Sequence, residues 1–281
     1  MALVVDSSCC LTKDLLESHH ITQVPHELII DEVRYRDGMD ISATEFYELV
    51  ELADTHPTTS APSPATFLKG FKEAACLSKN ILCLTLSRNF SATYQNACLA
   101  MKLASKELPH LTINVIDTQT AGGAEGLIAL AAAQASFSEK TPESIMSTVE
   151  QMIPGVQLIA CVNTLSYLSR SGRIPKITAW VGSFLRIKPL MEMRLGSAHV
   201  IAKLRTRNRA ITQMITTVKD RILGNPSKIF IMHANSPEYA STIKSTIETQ
   251  INCSEVILGE FTPIMGTPTG PGLLGIAFHT D

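Results

Sequence analysis

The chain has 281 residues, a formal net charge of −2 and only 18% charged residues. That balance excludes bulk electrostatic attraction to nucleic acid or to an anionic membrane, and the length accommodates one large or two moderate domains. No apolar run reaches the roughly 18 residues of a membrane-spanning helix, and Met1 leads straight into Leu3-Val4-Val5-Asp6 without a basic leader, so a cytoplasmic protein is expected.

The first half alternates strand and helix patterns. Ala2–Val5 reads as a short apolar strand ending at Asp6-Ser7-Ser8, and Thr12–Ser18 as a helix capped by Thr12. Ile21–Ile30 reads as one strand and Tyr35-Arg36-Asp37-Gly38 as a turn. Ser42–Asp54 has the apolar spacing of a helix, and Ser63-Pro64 opens another that runs to about Leu77. Then follow a buried strand (Ile81–Leu86), a helix (Ala92–Glu107), a strand (Leu111–Ile116) and two helices (Ala121–Ser136 and Pro142–Met152). Strands joined through helices imply right-handed crossovers and a mainly parallel sheet. Ligands of such sheets sit beyond the carboxyl ends of the strands. Asp6-Ser7-Ser8, Ser87–Ser91 and Asp117–Gly123 all follow strands and belong on one rim.

A second unit begins near Pro154-Gly155. Val156–Val162 reads as a strand, Leu165–Ser169 and Lys176–Phe184 as short helices, and Ile187–Arg194 with Ala198–Leu204 as a hairpin. Thr206–Leu223 and Pro237–Thr249 are helical; Lys228–His233, Val256–Phe261 and Leu274–Phe278 are strands. The expected architecture is α/β in two domains, residues 1–152 with a parallel sheet flanked by helices and residues 153–281 of α+β character.

Few residue patterns carry chemistry. The seven cysteines form no C-x-x-C, which fits a reducing compartment, and the eight histidines make no i, i+4 pair, so no metal site and no cofactor are expected. Gly122-Gly123 lacks the remaining glycines and the lysine of a nucleotide loop. Thr59 and Ser91 stand out: each lies in a polar stretch ahead of a helical run, where unpaired amides and the helix dipole favour an anion. Without an acid–base pair beside them, the chemistry expected is holding rather than cutting. Both residues can equally serve as caps and turn formers. Arg170, Arg173, Lys203, Arg205, Arg207 and Arg209 make the basic concentration of the chain, either a solvated face or a docking patch for an acidic partner.

Taken in order, the loops resemble the DegV family of bacterial fatty-acid-binding proteins. The residues that carry the resemblance are Val5-Asp6-Ser7-Ser8, Thr59-Ser60 with Pro62-Ser63-Pro64 and Phe67, Ser91 with Thr93-Tyr94-Gln95, and Val115-Ile116-Asp117-Thr118. They continue with Leu165, Tyr167-Leu168, Gly172-Arg173-Ile174, Lys188-Pro189, Lys203, Arg205-Thr206-Arg207 and Gly270-Pro271-Gly272 with Gly275. The resemblance covers essentially the whole chain. It implies a non-catalytic carrier with a long-chain fatty acid buried between two domains, presented to a separate fatty acid kinase subunit that phosphorylates the carboxylate. It leaves room for transient membrane contact. It also implies that Thr59 and Ser91 hold the carboxylate, with Ser60, Thr93, Thr267, Thr269 and Gly270 around them. The family's histidine before the last Gly-Pro-Gly is replaced here by Pro268, which has no side-chain polar atom and no amide hydrogen; Ala61 and Ala92 stand where Gln and Gly are common. An acyl phosphotransferase or hydrolase on the same rim, or an interaction module with a vestigial pocket, are the alternative readings.

Overall fold

The computed structural model describes residues 1–174 and 187–280. The short helix expected over Lys176–Phe184 lies outside the described residues. Strand β1 (Ala2–Asp6) is buried along its whole length and pairs in parallel with β2 (Ile21–Val24) on one side and β6 (Asn80–Thr85) on the other. β7 (Thr112–Asp117) completes a parallel sheet of order β2-β1-β6-β7. Its central strands, β1 and β6, are near-continuous apolar runs because both faces are covered. Ala2 and Val4 point to helices α3 (Pro64–Ala74) and α4 (Thr93–Glu107), while Leu3 and Val5 point to α5 (Gly123–Phe137), as the two-residue strand period requires.

A second, mixed sheet is built from β8 (Gln157–Cys161), β9 (Lys188–Arg194), β10 (Ser197–Leu204), β11 (Ser227–His233), β12 (Cys253–Glu260) and β13 (Leu274–Thr280). Its order is β10-β9-β8-β13-β11-β12, with only β11 and β12 parallel. Helices α8 (Arg207–Ile222) and α9 (Pro237–Gln250) cover its outer face through Met214, Val218, Ile243 and Ile247. Its inner face meets α5, so that helix lies between the two sheets. A helix apolar on nearly every side must be buried on every side, and the Ala- and Gly-rich sequence of α5 makes it thin enough to be so. The mixed α/β architecture, with a parallel sheet flanked by helices and a second, mixed sheet, agrees with the fold class read from the sequence.

Three elements differ from expectation. Ile21–Ile30 is not one strand: β2 ends at Val24, and after Pro25-His26 the chain enters β3 (Glu27–Ile30) of a separate antiparallel sheet with β4 (Val33–Arg36) and β5 (Thr58–Ser60). Proline at 25 offers no amide hydrogen to continue the ladder. Thr59 therefore lies in a strand, opposite Leu28, not in a loop at a helix start. A short helix, α10 (Pro263–Thr269), forms where the Gly/Pro/Thr sequence gave no helical signal. It packs against α2 (Ala43–Leu52), β3, β5 and α7 (Leu165–Ser171), bringing the C-terminal half of the chain onto the N-terminal half.

Close packing of α10 depends on Gly266. A Cβ there would sit 2.5 Å from Tyr47 Oη and 2.9 Å from Phe46. Both rings are fully buried and cannot give way. Gly266→Ala is expected to cost roughly 1–3 kcal/mol; equilibrium urea unfolding of the variant beside the parent chain measures it.

Candidate functional site

The loops after β1, β6 and β7 meet on one rim. The Ser87 amide donates to Thr120 O at 2.8 Å and the Gly122 amide to Ser8 O at 2.9 Å. The buried carboxylate of Asp6 fixes two of these loops, accepting from the Ser8 amide at 2.9 Å and the Leu86 amide at 2.8 Å. The tip of the β9–β10 hairpin reaches the same rim: the Gly196 amide donates to Gln119 O at 2.6 Å and the Asn89 side-chain amide to Gly196 O at 2.9 Å.

Between this rim and the second unit lies a cleft whose enclosed, water-accessible interior is about 90 Å³, widening to about 640 Å³ when the space open to solvent is counted. One wall comes from Leu86, Phe90 and Ala121 of the rim loops, the facing wall from Leu168, Ile174 and Met193 of the second unit, and the floor from Ile264, Met265 and Pro268 of α10. The polar residues of the lining are Thr59, Ser60, Ser91, His26, Ser171, Arg173 and Thr269.

The hydrogen bonds there determine which protons are available. Arg173 donates to Thr59 Oγ1 at 2.7 Å. The Thr59 oxygen is thus an acceptor for the guanidinium and keeps its own hydrogen for another partner. Ser91 Oγ lies 2.7 Å from Thr93 Oγ1 and accepts from the Thr93 amide at 3.3 Å. Thr93 Oγ1 lies 3.1 Å from His26 Nε2, and His26 Nδ1 lies 3.2 Å from Ser7 Oγ. Burial lowers the pKa of His26, the Asp6 carboxylate opposing and Arg173 reinforcing the shift; burial also lowers that of Arg173.

Thr59, Ser60, Ser91 and Thr269 all line the cavity, and fully buried Thr93 lies one bond behind Ser91. The Thr269 hydroxyl donates to Met265 O at 2.7 Å, and Thr267 donates to Pro263 O at 2.9 Å, away from the lining. Gly270 is not on the lining either; with φ of +75° and the Tyr167 ring where a Cβ would project, it lets the chain turn past that ring. Of the basic residues, Arg173 faces the cavity, and Arg207 stacks 4.0 Å from the Tyr239 ring centroid while donating to Ser236 Oγ at 2.8 Å. Arg170, Lys203 and Arg205 are exposed. The sequence reading missed His26 and the inward turn of Arg173. The only sequence signals were the proline that breaks the strand at 25 and the glycine at 172. Among the described residues, no group of three acidic, His or Cys side chains is placed to hold a metal ion, and no helix is long and apolar enough to cross a membrane.

Two buried carboxyls lie behind the rim. Burial pushes Glu125 well up, and Ser8 Oγ donates to it at 2.8 Å. Burial pushes Asp37 up to about 7, against the hydroxyls of Ser7 and Thr262 and the Ile264 amide, which donates to it at 3.3 Å at the start of α10.

Comparison with known proteins gives one consistent answer. The family model described as "Uncharacterised protein, DegV family" matches residues 1–281. A DegV domain-containing protein of Listeria innocua is 30% identical over 280 residues, covering 99% of this chain and 98% of its own. Among solved structures, a fatty-acid-binding DegV family protein from Thermus thermophilus superposes with a TM-score of 0.90 at 25% identity, covering 100% of this chain and 99% of its own. DegV of Bacillus subtilis, a fatty acid binding protein, gives 0.88 at 27% identity with the same coverage. A stearic-acid-binding protein from Eubacterium ventriosum gives 0.88 at 26%, covering 100% of this chain and 98% of its own.

The position of Asp37 makes stability depend on pH. Its folded value of about 7 lies above the ordinary 3.8, so the folded state binds the proton more tightly than the unfolded state. Stability is expected to be greatest below the lower value, to fall as pH rises between the two, and to level off above about 7. Asp37→Asn, which keeps an acceptor for the Ile264 amide, should flatten this slope in urea unfolding measured across that range.

Proposed function

The chain belongs to the DegV family, and we propose that it is a non-catalytic carrier that buries a long-chain fatty acid in the cavity beside α10 and presents the carboxylate to a separate kinase subunit. The observation that carries this reading is the mixed lining of one cavity: it holds Thr59, Ser91 and Arg173 together with aliphatic, aromatic and methionine side chains. An acid with a long apolar tail matches both. The Thr59 hydrogen, left free by Arg173, and the guanidinium itself suit a carboxylate. The likeness to solved fatty-acid-binding relatives supports the ligand class.

Magnitudes divide the labour. About 0.8 kcal/mol per buried methylene gives on the order of 10 kcal/mol for roughly 14 methylenes before the costs of association. A hydrogen bond to a charged group adds about 1.5–3 kcal/mol. The tail therefore carries the affinity, and the head group fixes the register in which the acid is offered for phosphoryl transfer, a reaction dominated by positioning. The exposed Arg170, Lys203 and Arg205 are the proposed docking residues for the kinase; the two arginines offer forked guanidinium donors suited to carboxylates, and Lys203 adds a compact positive charge.

Three outcomes test the reading. Mass spectrometry of material released on denaturing protein made in bacteria should find fatty acid in near-equal ratio to chain, and Thr59→Ala and Ser91→Ala should each weaken fatty acid binding by about tenfold. Retention of full affinity by the double variant would remove the head-group assignment. Charge reversal at Arg170 and Arg205 together should lower kinase-dependent phosphorylation of the bound acid without changing lipid retention; undiminished phosphorylation would remove the docking assignment.

A further inference from the structure

His26 lies behind the cavity's hydroxyls and closes a continuous chain: Ser91 Oγ, Thr93 Oγ1 at 2.7 Å, His26 Nε2 at 3.1 Å, and Ser7 Oγ 3.2 Å from His26 Nδ1. Each hydroxyl has one proton to give, and a neutral imidazole has one donor and one acceptor nitrogen. The chain can therefore run in only two directions. With the ring proton on Nδ1, Nε2 accepts from Thr93, Thr93 accepts from Ser91, and Ser91 shows the cavity only a lone pair. With a proton on Nε2, the ring donates to Thr93, Thr93 donates to Ser91, and the Ser91 hydrogen is released toward the cavity. One proton sets all three.

The charges around the ring favour the inward direction when the cavity is empty. Asp6 Oδ1 lies 3.8 Å from Nδ1 and stabilises a proton there. Arg173 acts on the ring from the cavity side and disfavours a proton on it. Asp37 lies beyond Ser7, and Glu125 beyond Ser8. Ser7 Oγ already accepts from the His26 backbone amide at 3.1 Å, which fixes the ring's attachment to the rim. An anion in the cavity reverses the balance, because it offsets Arg173 and requires a donor from Ser91.

We propose that His26 is a positioning residue for the head group: an anionic ligand draws a proton to Nε2, and the His26–Thr93–Ser91 chain turns outward as a unit to donate to it. This rests on the reading that an acid occupies the cavity. A ligand with the same tail and no negative charge leaves the chain turned inward, so the relay favours a carboxylate over an alcohol of equal length. Both routes to an outward chain, tautomer exchange and protonation of the ring, place the proton on Nε2.

The test uses the full chain, freed of lipid and labelled with ¹⁵N in histidine, with His26 assigned by comparison with His26→Gln. The Nε2 resonance is expected to be that of an unprotonated nitrogen in the empty protein and with hexadecanol, and that of a protonated nitrogen with palmitate. In parallel, Thr93→Val should weaken palmitate binding about tenfold and hexadecanol less than about twofold. His26→Leu should behave like Thr93→Val, and His26→Gln, whose amide still donates to Thr93, should restore palmitate affinity. Palmitate bound with an unprotonated Nε2, or Nε2 protonated in the empty protein, overturns the relay alone. Failure of palmitate to bind at all overturns the carrier reading and the relay with it.

Discussion

A carboxylate without exposed surface, Asp6, holds the rim on which the site is built. It receives the amides of Ser8 and Leu86, from two different loops, and its charge stands beside the His26 ring. A buried charge is tolerable only when it is so partnered, and the partnering is what makes the loops rigid. With their backbone groups satisfied by one another, the rim loops leave few donors for a ligand. Those that remain are side chains whose hydrogens are directed by neighbours: Thr59 by Arg173, and Ser91 by Thr93 and His26. The hydrogens offered to the cavity are thus set by the shell behind it as much as by its lining.

The parallel sheet and its rim were legible in the sequence because the signals are local. An apolar run such as Ile81–Leu86, a capped start such as Ser63-Pro64, and a polar loop after each strand leave little freedom of interpretation. The small antiparallel sheet was not legible. Its three strands, Glu27–Ile30, Val33–Arg36 and Thr58–Ser60, are 3 or 4 residues long, and β5 pairs across a helix with β3, so no local pattern announces it. α10 was hidden for a different reason. Proline and glycine disfavour helix on propensity grounds, and the helix forms because Gly266 lets it press onto Phe46 and Tyr47.

The site divides in the same way. Thr59 and Ser91 could be chosen from the sequence because a hydroxyl in a polar stretch ahead of a helical run is a visible feature. His26 follows a strand-breaking proline and reads as part of a β segment; only the packing of that segment under Thr93 turns its ring to the cavity. Arg173 belongs to a basic stretch that looks like solvated surface, and its inward turn depends on the tight bend at Gly172 and on Thr59, 114 residues away in sequence. Pro268 does line the cavity, as an apolar group of its floor. Ionisable groups reach the cavity from elsewhere in the chain.

The central position of α5 has a consequence for how this chain tolerates change. Helices α3, α4, α8 and α9 each press one face on a sheet and turn the other to solvent, so half of their positions accept almost any side chain. α5 has no such free half. A larger residue at Ala124, Ala129 or Ala132 would wedge two sheets apart and widen the seam between them. Sequence drift should therefore be slowest in the plainest stretch of the chain, where small residues act as a spacer of fixed thickness between its two halves.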